Sequence, residues 1–149
     1  MNVTKAKDYH GRWLDVTAYD SELNSNPLAI SDIDCLEIYT GNAKQTVYYF
    51  SHAFGFKPVA YRGPETNHRD NVSYVLKLNK VCLIISAALS PSDEIAAEIH
   101  EHGLTVKNIA LEVPDCEGFY YEAMRRGADS VEVPTIFEDE HGYIKRAGI

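Results

Sequence analysis

An α+β fold made of two tandem βαβββ modules is predicted by three observations: apolar spacing that alternates between strand and helix periods, helix boundaries that recur at one offset, and turn residues between the segments. Asn42 and Asp115, both suited to cap a helix N-terminus, stand 73 residues apart, and Gly55 and Gly127, both suited to end one, stand 72 apart. With 149 residues, 45% of them hydrophobic, and sixteen aromatics, the chain can bury one real core.

Residues 1–29 mix polar and aromatic groups without a sustained period and close on the loop Asn24-Ser25-Asn26-Pro27. They read as an arm, laid on the domain by Tyr9 and Trp13. The domain proper is expected over 30–149, with module one at 30–89, a connecting helix at 90–105 and an incomplete module two at 106–149. In module one, Ile33, Cys35 and the run Leu36 to Tyr39 form a buried strand that ends at Thr40-Gly41-Asn42. Ala43, Val47, Phe50 and Phe54 then fall on one helix face, and Gly55 stops the helix in a left-handed conformation. Phe56 to Tyr61, Val72 to Leu78 and Val81 to Ala88 read as strands, the last two joined by a tight turn at Asn79-Lys80.

The connecting helix is expected to open with Ser90 as N-cap, Pro91 at the first helical position and Asp93 in the first turn, to face Ile95 and Ile99 inward, and to stop at Gly103. Val106 to Val113 restarts the pattern as a strand. Asp115 caps a helix that carries Phe119 and Ala123 and ends at Gly127. Ser130 to Phe137 and Tyr143 to Ile149 supply two strands around the turn Glu138-Asp139-Glu140-His141-Gly142. The second module is thus expected to lack its last strand, leaving an unpaired edge.

Composition excludes several partner classes. A net charge of −8 with no basic stripe repels a phosphate backbone, so nucleic acid is not expected. No apolar run approaches the roughly 20 residues that span a bilayer, and the two lysines of the first seven residues have no apolar stretch behind them, so neither a membrane span nor a secretory leader is expected. A cytoplasmic location follows. Cys35, Cys82 and Cys116 are odd in number and not closely spaced, which argues against disulfides.

Several segments carry specific wording: Asn42-Ala43-Lys44-Gln45 through Tyr61-Arg62-Gly63-Pro64-Glu65-Thr66, Ser86-Ala87-Ala88-Leu89-Ser90-Pro91, Val106-Lys107-Asn108-Ile109-Ala110-Leu111-Glu112-Val113, and Glu138-Asp139-Glu140-His141-Gly142. Together they make residues 27–149 resemble the N-terminal half of the 4-hydroxyphenylpyruvate dioxygenase family, within the vicinal oxygen chelate (glyoxalase-like) superfamily. The resemblance implies a parent enzyme that uses Fe(II) and O2 to convert 4-hydroxyphenylpyruvate to homogentisate and CO2 in tyrosine catabolism. It implies that iron ligands and substrate pocket lie in a C-terminal catalytic half, so this chain alone is expected to hold no cofactor and to be inactive, with the C-terminal half as its partner in a homo-oligomer. Hydroxymandelate synthase, which shares the substrate, is the alternative parent. A stand-alone small-molecule-binding module of the same fold, or a homodimeric lyase or isomerase sharing a metal between subunits, would need no second half.

No catalytic, metal-binding or substrate-binding residue is expected in the chain itself. The resemblance puts metal ligands of the superfamily on the first and last strands of modules, and at the first-strand positions this chain has Cys35 and Asn108; a single thiol and an amide are poor iron ligands, and a buried free Cys packs as a small hydrophobe. His100 and His102, two apart on a helix, splay rather than chelate. His10, His52, His68 and His141 read as surface residues in arm, helix, loop and turn. Glu138, Asp139 and Glu140 read as a solvated turn rather than a cation site, Arg62 and Glu65 as a pair that fixes a loop, and Tyr48-Tyr49 and Tyr120-Tyr121 as packing residues with hydroxyls at the rim.

Overall fold

The βαβββ order expected of the first repeat is present: β3 (Asp32–Tyr39), α1 (Ala43–Phe54), β4 (Lys57–Arg62), β5 (Asn71–Leu78) and β6 (Val81–Ala88). The computed structural model describes residues 5–7, 13–15, 28–140 and 142–149. Ahead of β3, the arm contains a short antiparallel hairpin of β1 (Lys5–Lys7) and β2 (Trp13–Asp15), which the absence of a period in the sequence did not suggest. Tyr9, His10 and the packing of Trp13 lie outside the described residues.

Local chemistry sets the element ends. Asn42 is extended (φ −149°), and its side chain accepts from the Gln45 amide at 3.1 Å, satisfying a donor at the start of α1. Gly55 takes φ 79° and returns its amide to Ser51 O, so the chain leaves α1 in a left-handed step. The connecting helix α2 (Glu94–His102) begins later than expected. Asp93, not Ser90, is its N-cap, accepting from Ile95 N at 2.8 Å. Ser90 is held elsewhere: its amide bonds to Asp70 O and its hydroxyl to that of Ser92, so Pro91 sits in a turn rather than a helix.

Two compact units make up the chain, Asp32–Glu112 and Met1–Ser31 with Val113–Ile149. The first is a five-stranded sheet in the order β4-β5-β6-β3-β7, where β7 (Thr105–Glu112) is the first strand of the second repeat. β3 and β7 are offset by 73 residues at both ends, the spacing read from the helix caps. β6 returns parallel to β3, while β7 runs antiparallel to it. One sheet face and α1 bury a cluster of Ile38, Ala43, Phe56, Val72, Leu76, Leu83, Ile85 and Ala87, with Val47 and Phe50 packed on it. Phe54, expected on the same helix face, is 54% exposed. It ends the helix past the cluster and rests its ring on Tyr49 and Phe50 instead.

In the second unit, Asp115 caps α3 (Cys116–Arg125) by accepting from Gly118 N at 3.0 Å. Its stop is a paired one: Gly127 N bonds to Met124 O and Ala128 N to Ala123 O, with Gly127 at φ 97°. Tyr120 and Ala123 are the buried positions, and Phe119 is half-buried. Glu122 binds both Arg125 and Arg126, which holds its carboxyl down at about 2. β8 (Glu132–Asp139) and β9 (Gly142–Gly148) form a separate two-stranded sheet whose ladder runs on to Asp139 and Gly142. The turn is therefore shorter than expected, with Glu138 and Asp139 drawn into the strand. Among the described residues the second repeat supplies the strands β7, β8 and β9.

Candidate functional site

On the face of the five-stranded sheet opposite α1, polar side chains form a row that crosses every strand. Arg62, Ser73 and Ser86 are partners in backbone register on β4, β5 and β6, and Glu37 and Asn108 are partners on β3 and β7. Arg62 Nη2 lies 3.5 Å from Ser73 Oγ, Ser73 Oγ 2.9 Å from Ser86 Oγ, and Ser86 donates to Glu37 Oε1 at 3.0 Å. Asn108 Nδ2 donates to Glu37 Oε2 at 2.7 Å. A hydroxyl has one proton to give. Ser86 gives its own to Glu37, so it accepts from Ser73, which accepts from Arg62, and the chain of donors runs from guanidinium to carboxylate. Ser73 and Ser86 are buried, and among the described residues their side-chain partners lie in this row.

Arg62 also reaches Asn71 Oδ1 at 3.4 Å, and Asn71 donates to the α2 cap Asp93 at 3.0 Å. Its expected partner Glu65 is engaged elsewhere, accepting from the Tyr61 hydroxyl at 2.5 Å. The loop between them is closed by Thr66, whose Oγ1 accepts from Gly63 N and donates to Gly63 O, both at 2.9 Å. The bond to Glu65 pushes the Tyr61 hydroxyl from 10.0 up to about 12. A pKa raised on folding stabilises the fold fully below the unfolded value and ceases to do so as pH rises through the folded one. Ultraviolet titration is therefore expected to find one tyrosine ionising near pH 12, and Glu65→Gln to return it towards 10; an unchanged titration in that variant would contradict the contact.

Of the positions marked by resemblance, Asn108 is on this row. Cys35 is not: its backbone partner on β7 is Ala110, and Glu37 takes the place opposite Asn108. A shift in register between Glu37 and Ile38 makes the pairing unreadable from sequence. Glu37 was the residue missed, although a lone carboxylate inside the apolar strand Cys35-Leu36-Glu37-Ile38 was a usable signal. Burial, then the Asp34 carboxylate, push the Cys35 thiol up to about 11, so it stays protonated at neutral pH.

The remaining candidates disperse. His52 stacks on Tyr48 and bonds to its carbonyl on the exposed side of α1, and His68, His100 and His102 are exposed; His141 lies outside the described residues. Tyr48, Tyr49 and Tyr121 are exposed, whereas Tyr120 is buried with its hydroxyl on Ser130 at 2.5 Å. Among the described residues no three His, Cys, Asp or Glu side chains gather as a metal set. Ferrous iron, which the sequence resemblance implies for a parent enzyme, asks for imidazole and carboxylate donors with open positions. The row does not fit it: its carboxylate already accepts from Ser86 and Asn108, its neighbour is an amide, and the thiol beside it is protonated.

A βαβββ sheet extended by the first strand of a second repeat is the vicinal oxygen chelate, glyoxalase-like fold. Methylmalonyl-CoA epimerase from Mycobacterium tuberculosis superposes with a TM-score of 0.60 at 14% identity, over 78% of this chain and 79% of that one. A mutant of 4-hydroxymandelate synthase from Streptomyces coelicolor superposes at 0.72 with 27% identity, over 78% of this chain and 34% of that one. The chain itself is homologous to the N-terminal part of 4-hydroxyphenylpyruvate dioxygenases. The protein of that name from Xenopus tropicalis is 39% identical over 113 residues, 75% of this chain and 29% of the relative. The one from Yarrowia lipolytica is 35% identical over 120 residues, 78% and 30% respectively. The chain thus spans less than a third of the length of these relatives. No family model matches it.

Proposed function

We propose that this chain is the non-catalytic N-terminal half of a 4-hydroxyphenylpyruvate dioxygenase, and that its role is architectural. The observation that carries the reading is homology confined to the N-terminal part of much longer dioxygenases. The donor chemistry of the polar row supports it, since Glu37, Asn108 and Cys35 make a poor iron set. Fe(II), bound by residues of the remaining part, supplies the O2 chemistry that turns 4-hydroxyphenylpyruvate into homogentisate and CO2 in tyrosine catabolism. What the described residues contribute is a folded sheet whose buried Ser73 and Ser86 hydroxyls are satisfied within the row, and in β7 an edge strand for further pairing. By the internal repeat, the part that follows would supply the strand equivalent to β6, parallel to β7 as β6 is to β3. The parent is a cytoplasmic homo-oligomer in this reading; no described helix is long and apolar enough to cross a membrane.

The likeness to 4-hydroxymandelate synthase favours a second parent, which would place the new oxygen on the side chain. Product analysis of the full-length protein with 4-hydroxyphenylpyruvate, O2 and Fe(II) separates the two. Homogentisate is the expected product, 4-hydroxymandelate would reassign the parent, and neither product would overturn the proposal.

A further inference from the structure

Two of the three cysteines meet in the sheet, although they stand 47 positions apart in the chain. β3 and β6 run parallel with Leu36 opposite Leu83, and Cys35 and Cys82 are one step back along each strand. Leu83 belongs to the core cluster and Leu36 packs on it, so by the alternation of side chains both cysteines point to the other face, away from α1. Neighbouring strands are about 4.8 Å apart, within the roughly 4.4–6.8 Å between Cα atoms that a disulfide spans. All three cysteines are free and half-buried. The nearness of this pair also shows in ionisation: after burial and the Asp34 carboxylate, Cys82 is the next group that holds the Cys35 thiol up. Burial holds the Cys116 thiol up as well, but the charged groups around it, Lys145, Glu117 and Asp115, include no thiol.

A disulfide also needs its Cβ atoms about 3.5–4.5 Å apart, somewhat less than the spacing of two paired strands. The pair stands where that approach is least resisted. The register of β3 with β6 begins at Leu36 and Leu83, so the cysteines lie at its open end. On the other side of β3 the register with β7 is irregular between Ile33 and Cys35, which leaves Asp34 as an extra residue and gives the strand start room to turn. Of the two sulfurs, Cys82 is the better attacking group. Burial holds its thiol up, but Lys77, its register partner on β5, pulls the other way more strongly than Asp34 pushes. Cys35 has no such cation: burial, Asp34 and Glu37 all push it the same way.

We propose that Cys35 and Cys82 form a modification site, a dithiol that low-molecular-weight disulfides oxidise reversibly to a cross-strand bond between the first and last strands of the first repeat. The Cys82 thiolate attacks one sulfur of the small disulfide, forming a mixed disulfide and expelling one small thiolate. Cys35, after losing its proton to solvent, attacks the Cys82 sulfur and expels the second. Two protein thiols become one disulfide while one small disulfide becomes two thiols, so electrons and protons balance. In a reducing compartment a bond of this kind forms only when the thiol pool turns oxidising. The inference rests on the register of β3 with β6 and not on the assignment of the parent enzyme.

The test treats the fully reduced 149-residue chain, folded and separately unfolded in urea, with excess oxidised glutathione, then blocks remaining thiols with N-ethylmaleimide before peptide mass spectrometry. The folded chain is expected to give one linked peptide pair, Cys35 with Cys82 within a single chain, with Cys116 outside the link and dithiothreitol restoring all three thiols. The unfolded chain, with no register to select a pair, is expected to spread its links over all three pairings. Cys35→Ser is expected to stop at a mixed disulfide on Cys82. Glutathione held singly on Cys35 or Cys82 of the unsubstituted folded chain, links that include Cys116 or join two chains, or folded thiols that stay reduced after the unfolded chain has oxidised fully would overturn the proposal.

Discussion

Leu76→Ala is expected to destabilise the protein by about 2–5 kcal/mol, the range for truncating a fully buried leucine where the surroundings relax only in part. Leu76 has no exposed surface and sits on β5, an interior strand of the sheet, within the cluster that joins α1 to the sheet. Its loss removes contacts with both layers at once. Domains of this size are stable by only about 5–15 kcal/mol, so the variant is expected to show a markedly lower urea midpoint at an unchanged slope. Leu104→Ala is the control: that side chain is 65% exposed, and its truncation is expected to stay within about 0.5 kcal/mol. A Leu76 variant as stable as the Leu104 one would contradict the packing described for the first unit.

Ser86→Ala is expected to cost about 1–3 kcal/mol, although it deletes a single oxygen. Ser86 is 1% exposed, and its hydroxyl accepts from Ser73 while donating to Glu37. Without it the buried Ser73 hydroxyl loses its acceptor and Glu37 one of its two donors. The penalty is that of groups left unsatisfied, so a second change at Ser73 should cost little more. Chemical denaturation of Ser86→Ala, Ser73→Ala and the double variant reads this directly. The double variant is expected to be more stable than the sum of the single losses allows, and strict additivity would contradict a continuous chain of donors.

Much of the fold is legible in the sequence because it is dictated locally. Asn42, Gly55, Asp115 and Gly127 act through bonds to residues within one turn, so their types and spacing suffice to mark both helices and the repeat. Where a tertiary contact decides between two adequate local choices, sequence reasoning picks wrongly. Ser90 and Asp93 are both good caps, and the bond from Ser90 N to Asp70 O gives the role to Asp93. Glu138 and Asp139 read as turn residues, yet cross-strand pairing with Tyr143 and Gly142 extends the hairpin through them.

The polar row is harder to read for the same reason. Its members come from five strands between Glu37 and Asn108, and nothing in the spacing of Arg62, Ser73 and Ser86 along the chain announces that they are neighbours. The irregular register between β3 and β7 then places Glu37, rather than Cys35, opposite Asn108. The family wording, by contrast, is carried by short contiguous segments and survives without any of this geometry.

The most direct test of the central claim is iron content, measured together with oxygen uptake on adding 4-hydroxyphenylpyruvate, for this 149-residue chain beside the longest natural protein that contains it. Iron and turnover in the longer protein, with neither in the short chain, is the predicted result. Stoichiometric iron or turnover in the short chain would contradict it and place the iron ligands within these residues.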